Sequence, residues 1–309
     1  MRKTIALGLV ALLVSAASAA EVINVEFKFT PFVGDPQQAD MVKTVAGMAR
    51  VFINNVPYAE QEIGEDEVPV MFAEREVAPA VWLPTESCGP ALRKGKNTFR
   101  IEFTPVDAQA TYQAQLRWVS VMDETTEEGE GGQYSATNQG DEGMQEKKSK
   151  GEVAFEREFR ADFAADLPWH HYPAVTSLTE ADKQALAALL VQRIGAFQPD
   201  FSKLYALLEG NPDVDLAAVK EARCLDQGYE AGIRIAAPPV GGVDFVASGG
   251  PEVVMRAHEG DLFFPADIAA FERIEDEDTQ MCIGMALSLV YPPRLAAVRS
   301  PSGAWEIVY

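Results

Sequence analysis

Histidine and cysteine, the side chains that most often carry out chemistry, are scarce here. The 309-residue sequence contains three of each. His170 and His171 are adjacent, and neighbours on an extended chain point to opposite sides, so they are poorly placed to share one metal ion. We interpret 168–173 as an aromatic linker that packs two domains together; alternatively, His170 contacts a ligand or acts as an acid or base. His258 is assigned to a surface turn.

The three cysteines allow one disulfide bond. Cys224 and Cys282 lie in the same half of the chain and are the favoured pair in an oxidising compartment. The alternative is three buried thiols, because cysteine also packs well as a small apolar residue. Cys88 could act as a nucleophile beside a histidine, but we interpret it as an ordinary loop cysteine. No CxxC pair or Cys/His spacing typical of zinc occurs.

Acidic side chains offer a second kind of chemistry. Glu275, Asp276 and Asp278 form a dense cluster that could gather calcium, although side chains next to one another on an extended chain do not converge, so a solvated loop is the preferred interpretation. A pair of carboxylates elsewhere could hydrolyse a glycoside, but the sequence gives no distance between them. The motifs GxSxG, GxxxxGK[ST] and GxGxxG are absent. We expect no cofactor.

Aromatic residues and net charge indicate the type of partner. Trp82, Trp118 and Trp169 are candidate ligand-binding residues because a tryptophan ring supplies a large contact area. The formal net charge of -21 repels phosphate backbones, which argues against nucleic-acid binding. We therefore expect a protein or a small molecule as partner.

The first twenty residues have the three parts of a secretory signal peptide. Arg2 and Lys3 precede an apolar run over 5–14, and small residues follow up to Ala20. The run is too short to span a bilayer, which needs about 20 residues. The sequence predicts a mature chain without a transmembrane segment, in the bacterial periplasm or outside the cell.

Residues 21–167 are predicted to form an antiparallel β-sandwich. Apolar and polar residues alternate here with a period of two, as in half-buried strands, for example around Phe27 and Ile101. The turn and strand over 92–102 resemble a strand entry in the sugar-binding-like sandwich domains of glycosidases. Residues 123–152 hold nine acids and six glycines and are predicted to be a mobile acidic loop between two strands that pair with each other.

Residues 168–176 are assigned to a linker, and 177–309 to an α+β domain. Three helices are expected first, the earliest capped by Thr179 with Asp182 and ending at Gly195. A set of antiparallel strands should then follow, at 243–247, 253–257, 261–264, 285–291, 295–299 and 305–309. The order of elements, and the closing residues Val298, Gly303, Trp305 and Ile307, resemble the cystatin-like cone of nuclear-transport-factor-2-like domains.

The resulting prediction is a mostly β protein with an α+β second half. Its expected role is a non-catalytic binding or interaction protein of the bacterial envelope, with an unknown ligand. The alternative is a secreted hydrolase that uses a carboxylate acid/base pair. A binding protein should depend on its aromatic residues, whereas a hydrolase should lose activity when one or two acids are replaced.

Overall fold

The computed structural model describes residues 21–71, 75–129, 132–209, 211, 214–258 and 260–309. The predicted signal peptide, residues 1–20, lies outside the described residues. The described chain is mostly β with antiparallel sheets, and its α-helices belong to the second part of the chain. We call residues 21–167 the N-terminal half and residues 177–309 the C-terminal half.

Eleven strands form two sheets in the described residues of the N-terminal half. They are β1 (Glu21–Val33), β2 (Met41–Thr44), β3 (Gly47–Ile53), β4 (Val56–Ile63), β5 (Glu67–Met71), β6 (Glu76–Val77), β7 (Val81–Pro84), β8 (Gly95–Pro105), β9 (Thr111–Gly129), β10 (Gly132–Lys150) and β11 (Val153–Ala161). One sheet has the order β10-β9-β1-β2-β5-β6, with β7 also paired to β1, and the other has the order β11-β8-β3-β4.

Both sheets contribute to one apolar core. Their inward side chains alternate with solvent-facing ones, as the period of two predicts. Phe27 of β1 stacks on Phe99 of β8 with ring centroids 3.9 Å apart. Phe29 of β1 meets Phe155 of β11 edge to face at 5.9 Å. Aromatic pairs of this kind tie the two sheets together.

The prediction of a mobile acidic loop over 123–152 is wrong. This segment belongs largely to β9 and β10, which pair with each other as an antiparallel hairpin. The strands predicted to flank the loop do not pair either, because β9 lies beside β1 whereas β11 lies beside β8. Ladder hydrogen bonds to β9 hold a polar strand in place, and lysines are common on such an edge strand.

Six α-helices and six short strands build the described residues of the C-terminal half. Its helices are α1 (Glu180–Ile194), α2 (Ser202–Leu208), α3 (Leu216–Ala222), α4 (Cys224–Ala231), α5 (Ala269–Glu272) and α6 (Glu277–Val290). Its strands are β12 (Ile235–Ala236), β13 (Val243–Ala247), β14 (Glu252–Ala257), β15 (Phe264–Pro265), β16 (Arg294–Arg299) and β17 (Trp305–Ile307). The order β13-β14-β16-β17 forms an antiparallel sheet, and β12 pairs with β15.

Side-chain caps explain where two helices of this half begin. The Thr179 hydroxyl accepts from the Asp182 backbone N–H, and the Asp182 carboxylate accepts from the Thr179 backbone N–H, so α1 begins with the expected capping box. Asp276 caps α6 in a similar way by accepting from the Thr279 backbone N–H at 2.8 Å. A disulfide bond joins Cys224 of α4 to Cys282 of α6, which is the pair that the sequence favours.

Two strands predicted for this half are wrong. Residues 285–291 lie mainly in α6, because Ile283, Ala286, Leu287 and Val290 share one buried helical face. Apolar residues at alternate positions of the same segment also fit a strand, so a short apolar run is ambiguous. In the predicted strand 261–264, only Phe264 is in a strand, the two-residue β15.

Candidate ligand-binding cleft

A cleft of ≈ 920 Å³ lies at the boundary between the two halves. We call it the boundary cleft. The N-terminal half contributes Tyr58 of β4 and Cys88, which lies in a 3-10 segment, Thr85–Ala91. The C-terminal half contributes the end of α6, residues 292–296 and the chain end 307–309. Pockets where domains meet are a common place for small ligands, so this cleft is the strongest candidate site.

Contacts between the halves hold the walls of the boundary cleft. The Arg294 guanidinium donates to the carbonyl of Pro57 at 3.3 Å. Arg256 of β14 forms an ion pair with Glu60 of β4 at 2.7 Å. Tyr309 packs against the core of the N-terminal half. These contacts bring β4 alongside the strands β14 and β16.

Two arginines line the cleft. Arg193, near the end of α1, donates from Nε to the Val290 carbonyl at 2.9 Å. Arg294 begins β16 after the adjacent residues Pro292 and Pro293. Burial lowers the pKa of both guanidinium groups below its usual value, since removal from water disfavours a cation. At neutral pH both stay charged.

A buried polar cluster lies on the N-terminal side of the cleft. Burial raises the pKa of the Cys88 thiol to about 12, so the thiol is protonated at neutral pH. The Tyr58 hydroxyl donates to the Ser87 carbonyl at 2.7 Å, and burial raises its pKa. Burial also raises the pKa of Tyr309, whose hydroxyl has no hydrogen-bond partner among the described residues. A protonated, buried thiol is a poor nucleophile.

Near this cluster, a second ion pair joins the two halves. Glu252 of β14 is fully buried, and both of its carboxylate oxygens lie 2.9 Å from Nη2 of Arg93. The Ser248 hydroxyl donates to the Glu252 backbone carbonyl at 2.9 Å. Arg93 therefore neutralises a buried acid across the boundary.

The predicted aromatic candidates are spread over the molecule. Trp82 on β7 is 58% exposed and Trp118 on β9 is buried, with Arg157 stacked 3.5 Å from its ring centroid. Trp169 packs against Tyr309, with ring centroids 5.7 Å apart. The structure therefore does not gather the three tryptophans into one site.

His170, like Trp169, contacts a residue of the boundary cleft. It is buried, and its Nε2 lies 2.9 Å from the carbonyl oxygen of Pro90, a cleft residue. His171 and His258 instead pair with Asp166 and Asp244, at 2.7 and 3.0 Å. His170 thus links the linker segment to the 3-10 segment of the N-terminal half.

The predicted metal candidates lie at the start of α6. Asp276 uses its carboxylate to cap the helix, while Glu275 precedes it and Asp278 lies in the first turn. Within the residues that the structure describes, no group of three or more His, Cys, Asp or Glu side chains is placed to hold a metal ion.

Sequence reasoning missed Arg193 and Arg294. Their nearest sequence signals are an arginine in the last turn of a capped helix and the run Tyr-Pro-Pro-Arg at 291–294. Neither signal shows that the two residues, about a hundred positions apart, line one cleft.

Comparisons of this chain with protein-family models, with curated proteins and with solved structures found no match. Within the described part of the chain, none of the helices has the length and apolar character needed to cross a membrane.

Proposed function

We propose that this chain is a non-catalytic binding protein of the bacterial envelope or the extracellular space and that its ligand occupies the boundary cleft. The volume of ≈ 920 Å³ carries this proposal. Ligand pockets have volumes of about 300–1,000 Å³ and combine apolar walls with a few polar groups. The boundary cleft has both, since prolines and leucines line it together with tyrosines and arginines.

The chemistry of the cleft favours binding over catalysis. A hydrolase with a carboxylate acid/base pair needs two carboxylates on either side of the bond that breaks. Among the described residues, no Asp or Glu lines the cleft. Its one thiol, Cys88, is protonated at neutral pH. No observation in the described residues favours the hydrolase.

The cellular location and the finer fold are part of the same proposal. Residues 1–20 support secretion, and the disulfide between Cys224 and Cys282 is typical of an oxidising compartment. Two sheets that share one core support a β-sandwich in the N-terminal half. Helices followed by an antiparallel sheet support a cystatin-like cone in the C-terminal half. The acidic net charge supports a partner other than nucleic acid.

A thermal-shift screen of the purified protein tests this function. The panel contains calcium, zinc, a chelator, sugars, and acyl and peptide compounds. A ligand at a hundred times its Kd stabilises the folded protein by about 2.7 kcal/mol and raises Tm.

A pair of variants then locates the binding site. Ser288→Trp places a bulky ring at an exposed cleft residue of α6 and should abolish the shift. Met281→Trp, two turns earlier on α6 and 72% exposed, does not line the cleft and should retain the shift. A hit that both variants bind equally well would place the ligand elsewhere and contradict the proposal.

A further inference from the structure

The boundary cleft is locally cationic on an acidic protein. The chain carries a formal net charge of -21, yet the charged residues among the described cleft lining are Arg193 and Arg294. Glu60 and Asp261 are close enough to act on Arg294 electrostatically. Arg50 and Arg256 pair with Glu60. The charged side chains of the cleft lining are therefore opposite in sign to the net charge of the chain.

Both guanidinium groups are oriented and retain hydrogen-bonding capacity. Arginine has five N–H donors. Arg193 donates to Val290 and Arg294 donates to Pro57, in each case to a backbone carbonyl. Neither arginine has a carboxylate oxygen within 4.0 Å among the described residues, unlike Arg93 and Arg256. A single carbonyl bond fixes the direction of a guanidinium and leaves other donors for an anion.

The rest of the lining is suited to apolar groups. Pro57 and Pro293 lie on opposite walls, and Leu207, Leu289 and Ile307 add aliphatic surface. Leu207 is 42% exposed, so its side chain is accessible to a ligand in the cleft. An apolar surface next to two cations matches a ligand that has both a charged end and an apolar body.

We infer that the ligand of the boundary cleft is an organic carboxylate attached to an apolar body, with Arg193 and Arg294 receiving the carboxylate. This inference rests on the proposed binding function and adds the chemical class of the ligand. A planar guanidinium matches a carboxylate in shape and can donate two parallel hydrogen bonds to it. An anion that enters the cleft offsets the free-energy cost of removing both guanidinium groups from water.

The same chemistry can come from a fatty acid or from the C-terminus of an apolar peptide. The experiment therefore has two arms, each with an uncharged partner compound. One arm compares octanoate with octanamide. The other compares N-acetyl-trileucine with its C-terminal amide. Isothermal titration calorimetry gives Kd for each compound with the purified protein.

The carboxylate of at least one arm is expected to bind about tenfold more tightly than its amide, since a charged hydrogen bond contributes that much affinity. Arg294→Gln and Arg193→Gln should each weaken carboxylate binding about tenfold and leave amide binding unchanged. Arg294→Lys and Arg193→Lys keep the charge and should retain more of the affinity. The preferred arm identifies the source of the carboxylate.

A matched control separates a local effect from a change in net charge. Arg234 is exposed, donates to the backbone carbonyls of Tyr229 and Ile233, and does not line the cleft. Arg234→Gln should leave every Kd unchanged. Melting curves of all variants show whether they are folded, and the Lys variants remain informative if Arg193→Gln, which loses the bond to Val290, unfolds.

The outcomes distinguish this inference from the proposed function. Equal binding of acid and amide, or the same loss in Arg234→Gln, would overturn the carboxylate inference. A lack of binding in both arms would also overturn the carboxylate inference. In that case, a compound of the thermal-shift panel whose effect Ser288→Trp abolishes would still support the proposed binding function. If no compound of the thermal-shift panel or of the two calorimetry arms binds at the cleft, both proposals fail.

Discussion

The two halves of this molecule are stabilised internally in different ways. In the N-terminal half, two sheets share an aromatic core in which Phe27 of β1 stacks on Phe99 of β8, and the long strand β10 pairs along β9. In the C-terminal half, α2 and α3 have seven residues each, and a disulfide bond joins α4 to α6. Helices this short are not stable alone in water and depend on tertiary contacts.

This difference bears on the boundary cleft. One wall comes from β4, an edge strand of its sheet, and from the 3-10 segment, and the other from α1, α6 and the strands that follow them. We expect the second wall to depend on the disulfide bond, because this bond links α6 to the short helix α4. The experiments below test how far the halves differ and what joins them.

Removal of the disulfide bond should have the largest effect. The bond between Cys224 and Cys282 closes a loop with a sequence separation of 58 residues. The chain-entropy model assigns about 4 kcal/mol to a loop of this length. The double variant Cys224→Ala/Cys282→Ala should therefore lower the free energy of unfolding by roughly that amount, measured by urea denaturation.

Hydrogen exchange should show where the stability is lost. In this double variant, amide protection should fall first in α4 and α6, while β3 and β8 keep theirs. Cys88→Ala, which removes a buried free thiol, is the control and should leave the C-terminal half protected. An equal loss of protection in both halves would contradict the comparison.

Loss of the buried ion pair between Arg93 and Glu252 should have the next largest effect. Arg93→Met leaves the fully buried Glu252 carboxylate without its cation, at a cost of about 3 kcal/mol. The double variant Arg93→Met/Glu252→Met removes both charges and should be more stable than the single variant. Urea denaturation of the two variants gives the comparison. A double variant no more stable than Arg93→Met would show that the pair does more than neutralise a buried charge.

The sequence predicts best those features that depend on neighbouring residues. Alternating apolar residues locate strands such as β1 and β8, and Thr179 with Asp182 correctly marks the start of α1. Such signals are local, because side-chain direction repeats every two residues in a strand, and an N-cap satisfies N–H groups of the first turn.

The remaining features depend on partners far away in the chain. β10 is polar in composition and is a strand because β9 provides its hydrogen bonds. The apolar run at 285–291 fits both the period of a helix and the period of a strand, and its burial against the C-terminal core makes it helical. Arg193 and Arg294 line one cleft only because α1, α6 and β16 pack together, which no spacing in the sequence shows.

The corrected β9–β10 hairpin can itself be tested. Gly143 lies opposite Trp118, and a Cβ atom there would come within 2.3 Å of the Trp118 ring. Gly143→Ala should destabilise the fold by about 2 kcal/mol because the ring or the strand must move. Urea denaturation followed by tryptophan fluorescence, to which Trp118 contributes, measures the effect. Gln145→Ala, two residues further on β10, is the control; if the two variants are equally stable, the register of the hairpin is wrong.

The capping box of α1 should give the smallest effect and a defined pH dependence. Hydrogen bonds from Thr179 lower the pKa of Asp182 from 3.8 to about 2. The folded pKa thus lies below the unfolded one, so the carboxylate contributes stability above pH 3.8 that is lost as the pH falls towards 2. The Asp182 carboxylate also accepts from Trp305 at 3.2 Å, which links α1 to β17.

Asp182→Ala should therefore cost about 1 kcal/mol at pH 7 and have almost no effect near pH 2. Melting temperatures of the variant and the parent across this pH range should converge as the pH falls. Glu180→Ala, in the same turn but outside the capping box, is the matched control and should show no such convergence. Because Asp182 connects α1 to the last strand, its loss should also reduce amide protection in β17. A difference in Tm that persists at pH 2 would mean that Asp182 stabilises this half by packing rather than by its charge.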